Sequence, residues 1–303
     1  MLHEYAVDPE MMAIWERVRY LLGQFGVQSG RLISRYPSHW KKMVYEAMDA
    51  AEGRGNLTPV NRTRIAERMK TIDPKMMART PSWDSARSWT QNALIEHDRN
   101  PFRAILSDEN LTNASCVLDY EELDTANLWQ IEHGAVTQRT PEVVAEKLAP
   151  LARISKRLVL VDPYFDPTSR DVTSVLSTIL EKCWVGRENN PFEAVEFHTV
   201  HKVEIRNFRD ECANRLPRLV PRGMQLRVVR WNLRADGDGF HNRYFLTERG
   251  GIILPWGLKA GDGNETDDLM LLPQELHRHR WQLLFGDEHA YDLEDEVTYT
   301  GRR

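Results

Sequence analysis

The sequence predicts an α/β domain, with a mixed, mostly parallel sheet sandwiched by helices, preceded by an all-helical N-terminal domain. Three observations predict it. From Thr140 onward helical and strand patterns alternate, before about Leu106 the apolar residues recur at helical spacing, and 303 residues exceed the usual size of one domain. The boundary is placed in the polar stretch after Pro101-Phe102, giving a helical domain over 1–115 and an α/β domain over 116–303.

In the first part Met11, Ile14, Trp15, Val18 and Leu21, then Leu32, Ile33, Trp40, Met43, Val44 and Met48, follow helical spacing and predict four or five helices. Breaks at Gly26-Val27, 52–56 and Pro81-Ser82 separate them, and Thr58-Pro59 and Ser82-Trp83-Asp84 read as the starts of the third and fourth. Trp15, Trp40, Trp83 and Trp89 read as core anchors. No chemistry is assigned here; the unit is expected to offer a docking surface for a partner protein.

In the second part Thr140-Pro141 starts a helix that runs to about 154, with Pro in its first turn. Arg157-Leu158-Val159-Leu160-Val161 then reads as a strand buried on both faces and stopped by Pro163. A helix over 171–183, a strand over 194–199, a helix over 203–219 and a strand over 225–231 continue the alternation. Strands over 240–247, 251–254 and 268–272 and a helix over 273–285 complete it.

Composition excludes several classes. With 41% hydrophobic and 28% charged residues the chain is globular rather than disordered. No apolar run approaches the roughly 20 residues of a membrane span. Met1-Leu2-His3-Glu4-Tyr5 carries an acid and lacks the basic start and apolar core of a secretion signal, so a cytoplasmic protein is expected. The three cysteines form no Cys-x-x-Cys pair and read as small buried residues; no metal and no other cofactor is expected. A net charge of −5 argues against a surface that coats nucleic acid throughout. Arg215, Arg218, Arg222, Arg227, Arg230 and Arg234 could still form a local strip facing phosphates, or could equally be solvated arginines on a helix end and a strand's outer face.

Chemistry concentrates in Phe240-His241-Asn242-Arg243-Tyr244-Phe245-Leu246-Thr247. Strand alternation would put His241, Arg243, Phe245 and Thr247 on one face. An imidazole beside a guanidinium suits a phosphodiester: the first can attack phosphorus or carry a proton, while the second grips phosphate oxygens. Glu248 could orient the histidine through its second nitrogen. Asp162 and Asp166 stand where a strand ends, the rim on which α/β sheets place their sites, and Asp166 reads rather as a cap of the following helix start. His198 and His201 fall on opposite faces of a strand and His277 and His279 on different faces of a helix, so neither pair is expected to hold a metal. The acidic 260–267 stretch reads as a mobile loop over the site.

The spacing His241-x-Arg243-x4-Glu248 resembles the phospholipase D superfamily, whose motif is His-x-Lys followed after four residues by Asp. The strand leading to Asp162-Pro163-Tyr164-Phe165-Asp166 and the strand-turn-strand around Gly250-Gly251 are similar as well, over about residues 130–290. The resemblance implies a phospholipase D-like sheet and a metal-independent phosphodiesterase, a nuclease with His241 as nucleophile and Arg243 and Glu248 beside it. Asp162, Tyr164, Thr247, Trp256 and Lys259 are then the expected substrate-binding residues. A second histidine must protonate the leaving oxygen, which implies a homodimer with the site on its two-fold axis. Nucleic acid is the expected substrate and partner, and the organisation fits a component of a bacterial antiviral defence or mobile-element system. Arg243 stands where the family has Lys, and Pro255-Trp256-Gly257-Leu258-Lys259 where its enzymes carry a Gly-Ser pair and an Asn. Those departures support the alternative expectation, a degenerate domain that binds nucleic acid or a partner protein without cutting.

Overall fold

The computed structural model describes residues 1–303 apart from 80–81, 201–206, 235–238 and 287–289. Its contacts fall into two compact units, Leu2–Glu132 and Met1 with His133–Arg303, dividing further along the chain than residue 115.

The N-terminal unit is built on a sheet, which corrects the all-helical expectation. Strands β1 (His3–Val7), β2 (Arg31–Arg35), β3 (Met76–Ala78), β4 (Ala104–Leu106) and β5 (Val117–Leu118) pair in the order β3-β2-β1-β4-β5, every pair parallel. Helices α1 (Trp15–Gln24), α2 (Trp40–Gly53), α3 (Pro59–Lys70) and α4 (Trp89–Arg99) are the crossovers that parallel pairing requires. The strands are five residues or fewer and buried on both faces, so they read as short apolar runs that helical spacing absorbs; Leu32 and Ile33 belong to β2. Thr58 caps α3 as expected, accepting from the Asn61 amide at 3.3 Å. The fourth helix starts at Ser88, not Ser82, through a capping box with Gln91. Trp40 and Trp89 are buried and Trp15 and Trp83 pack against the core clusters.

At the end of β1 the buried Asp8 accepts from Ser107 Oγ at 2.7 Å and from the Glu10 amide at 3.0 Å, and Ser107 is in turn 2.9 Å from Thr90 Oγ1. Burial pushes the Asp8 carboxyl up to about 6 against these hydrogen bonds. A carboxyl whose folded value is raised keeps its proton longer in the native state, so stability falls as pH rises from about 4 to about 6. The effect is on the order of 3 kcal/mol. A carboxyl NMR titration should place the Asp8 midpoint near 6, and Asp8→Asn should flatten this limb; an ordinary midpoint would refute it.

The C-terminal unit carries an eight-stranded sheet ordered β13-β9-β8-β7-β10-β11-β12-β6. In chain order its elements are β6 (Gly134–Gln138), α5 (Pro141–Arg153), β7 (Arg157–Val161), α6 (Arg170–Trp184), β8 (Ala194–Val200) and α7 (Phe208–Arg215). Then come β9 (Gln225–Leu233), β10 (Tyr244–Thr247), β11 (Gly250–Ile253), β12 (Thr266–Leu271), α8 (Gln274–Phe285) and β13 (Tyr291–Thr300). Only β7, β8 and β9 run parallel; the other pairs are antiparallel, so the sheet is mixed rather than mostly parallel. After β9 no helix separates β10, β11 and β12, and strands joined by short turns must reverse. The expected 203–219 helix is α7 with a 3-10 turn, Leu216–Arg218, while 203–206 lie outside the described residues. Val159 and Val161 pack with Leu246 and with Leu284 of α8 on one face. Alternation leaves the buried Leu158, Leu160 and Phe245 for the other.

Four of the six arginines of the strip are paired with carboxylates. On the outer pair β9–β13, Arg227 bonds Glu296, Arg230 bonds Glu294 at 2.6 Å and Arg234 bonds Asp292 at 2.7 Å, while Arg215 pairs with Glu211. The pairs of Arg227, Arg230 and Arg234 tie β13 to the β9 side of the sheet.

Candidate functional site

Antiparallel pairing of β10 with β7 sets Tyr244 against Val161, so Arg243, just before β10, lies beside Asp162, just after β7. On the other side the Leu254 amide donates to Arg243 O at 2.9 Å, which brings the Pro255–Leu258 turn alongside. Arg243 Nη1 donates to Pro255 O at 2.7 Å, Nε lies 3.6 Å from Asp162 Oδ1, and the guanidinium carbon sits 4.7 Å from the Tyr164 ring centre.

Asp162 is the fixed point of the site. Its Oδ1 accepts from the Tyr164 amide at 2.9 Å and its Oδ2 from the Leu258 amide at 3.2 Å. Burial pushes its carboxyl above the usual range, opposed by those amides and by Arg243. Gly257 lets the turn come this close: its φ is +65°, and a Cβ there would fall 2.3 Å from Asp162 Oδ2 and 2.5 Å from Arg243 Cδ.

Beside this cluster Trp256 is 56% and Tyr164 43% exposed. The Arg139 guanidinium lies 4.5 Å from the Trp256 ring centre, donates to Lys259 O at 3.0 Å and pairs with Glu265 at 3.1 Å. Two exposed aromatic rings, each backed by a guanidinium, thus flank the same turn. Asp267 supports it by accepting from the Trp256 amide at 3.1 Å. The 260–267 loop expected to move over the site is bonded to Arg139 from both sides, through Gly261 N to Arg139 O and Arg139 N to Glu265 O.

No protein family and no curated protein matches this chain. The site stands on its geometry.

That geometry divides the residues the sequence grouped. His241-Asn242-Arg243 precedes β10 instead of forming its first turn of alternation, so His241 and Arg243 do not share a strand face. His241 lines a small cavity of about 20 Å³ with Tyr244, Leu246 and Arg280 on the α8 side, against Gly239, whose missing Cβ would fall 2.5 Å from the ring. Arg243 turns instead to Asp162 and Tyr164. Glu248 follows β10 at its far end, about 16 Å of strand from Arg243. There both its oxygens are taken by backbone amides at the start of β7, Lys156 at 2.9 Å and Arg157 at 3.0 Å. It fastens β10 to β7 and does not orient His241. Thr247 is fully buried, its hydroxyl on Gly250 O and its carbonyl accepting from His277 Nε2, so it borders no substrate. Asp162 and Tyr164 do meet at Arg243, whereas Trp256 and the Lys259 carbonyl are held by Arg139 along the same turn.

The remaining candidates resolve as structural. Asp166 accepts from the amide and hydroxyl of Thr168 before α6. His277 is buried and His279 exposed; His201 lies outside the described residues. Among the described residues no group of three or more His, Cys, Asp and Glu is arranged to hold a metal ion, and no helix is long and apolar enough to cross a membrane. Sequence reasoning missed Arg139, more than a hundred residues from the turn it braces, and Gly257, for which the only signal was a glycine after tryptophan in a strand-ending turn.

Proposed function

We propose that the C-terminal unit belongs to a cytoplasmic protein that holds single-stranded nucleic acid without cutting it. The phospholipase D-like motif then survives as a phosphate grip rather than a catalytic pair. The observation that carries this reading is Arg243. Its Nη1 and Nε face Pro255 O and Asp162, nothing accepts from Nη2 among the described residues, and the side chain is 26% exposed. A guanidinium held in place with one edge open suits a phosphate oxygen. The exposed rings of Tyr164 and Trp256 offer bases a stacking surface on either side, as non-specific single-strand sites do. Separation of His241 from Arg243 and the occupied carboxylate of Glu248 support holding over cleavage. A non-cutting module needs no second histidine, so a homodimer belongs to the cleaving alternative.

The test is fluorescence polarisation with a labelled oligonucleotide. Arg243→Ala should weaken binding about 10- to 100-fold, since hydrogen bonds to charged groups contribute roughly 1.5–3 kcal/mol. Tyr164→Ala and Trp256→Ala should each weaken it by roughly 1–3 kcal/mol. Binding unchanged in Arg243→Ala would end this reading. Metal-free cleavage in EDTA that is lost in His241→Ala would replace it with the nuclease.

A further inference from the structure

The N-terminal sheet has its own place for a ligand. In the order β3-β2-β1-β4-β5 the chain reverses direction of winding between β1 and β4, and ligands of doubly wound sheets sit outside the carboxyl ends of such strands. There the structure has a cavity of about 840 Å³, walled by the segments that follow β1 and β4 and by α2. Its charged lining is Asp8, Glu10, Glu46, Asp108 and Glu109, with no Lys, Arg or His. Arg17 takes Asp108 and Lys42 lies 3.3 Å from Glu46, but no side-chain partner meets Glu10 or Glu109 among the described residues. Asp8 is held in place by Ser107, itself bonded to Thr90. Apart from Ser88 and Asn110 the rest of the wall is apolar, Met11, Met43, Ala47, Trp89 and Leu111 among it.

An anion, the usual guest at this position, is disfavoured. β1 is followed by Asp8-Pro9-Glu10 in place of a glycine-rich turn, the short 3-10 helix Pro9–Ala13 there is capped by the Asp8 carboxyl, and the α-helix start at Ser88 is closed by its own capping box. A bare metal ion does not fit either, because the carboxylates are not gathered into a ligand set. What fits is a cation with an apolar stem: ammonium groups for the unpartnered carboxylates of Glu10 and Glu109 and for Asp8 beside them, and methylenes along the apolar wall.

We propose that this cavity binds an aliphatic di- or polyamine, with Asp8, Glu10 and Glu109 meeting its ammonium groups.

The test is calorimetric titration of the nucleic-acid-free full chain with spermidine, with putrescine, magnesium and adenosine monophosphate as comparison titrants. One saturable spermidine site is expected, weakened at least about tenfold by Glu109→Gln and by the cavity-filling Ala47→Trp, and untouched by Glu294→Gln in the other unit. Circular dichroism confirms that each variant is folded, and Asp8→Asn, which keeps size and shape, gives a third reading. No saturable site, affinity unchanged in both Glu109→Gln and Ala47→Trp, or tighter binding of adenosine monophosphate than of spermidine would overturn the assignment. Oligonucleotide binding by Arg243 is measured separately, so either result can fail alone.

Discussion

Glu196→Ala is expected to cost the C-terminal unit about 3–5 kcal/mol, the penalty for removing one member of a buried, hydrogen-bonded charge network. Glu196 is 3% exposed in β8, and its Oε1 lies 3.2 Å from Arg157 Nη2 while its Oε2 lies 2.8 Å from His198 Nε2 and 3.6 Å from Arg227 Nη1. His198 is equally buried, and Trp231 Nε1 donates to its Nδ1 at 3.0 Å. An indole nitrogen only donates, so Nδ1 carries no proton and the neutral ring donates through Nε2 to Glu196. Burial pushes His198 below its ordinary value; burial alone would raise Glu196, but His198 and the two arginines outweigh it and hold that carboxyl low. Alanine would strand the His198 N–H and the Arg157 guanidinium; Arg227 is exposed enough for water to replace its share. Both depressed values carry the same sign for acid. Stability from Glu196 is present above its unfolded value and lost as pH falls through the folded one, and a neutral His198 begins to cost below its ordinary value of about 6.5. Urea unfolding should show the C-terminal unit losing stability below that pH, and Glu196→Gln destabilising it less than Glu196→Ala. A Glu196→Ala loss under about 0.5 kcal/mol would refute the network.

Trp40→Ala should cost the N-terminal unit about 3–5 kcal/mol. Trp40 starts α2, is fully buried, and its Nε1 donates to Val7 O at 2.6 Å, so it fills the core and satisfies the last carbonyl of β1. Alanine leaves both a void and an orphaned acceptor. Trp40→Phe restores most of the volume but not the donor, and should cost roughly 1–3 kcal/mol. Chemical denaturation followed by far-ultraviolet dichroism separates the two, and a Trp40→Phe loss near zero would mean that the hydrogen bond contributes nothing.

Where the sequence was informative, the reason is periodicity sustained over several turns or a full buried strand: α5 behind Thr140-Pro141, β7 before Pro163, and the succession α6, β8, β9 and α8. The N-terminal strands are too short to show a period of two, and Leu32 and Ile33 fit either pattern. β13 failed for the opposite reason: Asp-Leu-Glu-Asp-Glu has the polarity of a loop because only one of its edges is paired. At the site, Asp162 was legible as the end of a strand, whereas Arg243 was read inside a strand that begins only at Tyr244. The spacing to Glu248 measured distance along the chain, whereas four residues of β10 carry that carboxylate to the other end of the sheet.

The ladder of ion pairs between β9 and β13 also governs how molecules of this protein meet one another. β13 is ten residues long and terminates the sheet, so its outward amides and carbonyls could template a further strand, the geometry from which aggregation grows. Along it stand Asp292, Glu294, Asp295 and Glu296 with no basic residue among them; their partners are Arg227 and Arg230 of β9, Arg234 just after it, and Arg209 of α7. A second copy laid against this edge would bring carboxylate to carboxylate, with its own arginines one strand too far away to relieve the repulsion. The same charges that fasten the last strand to its neighbour therefore blunt this edge against pairing with a further strand.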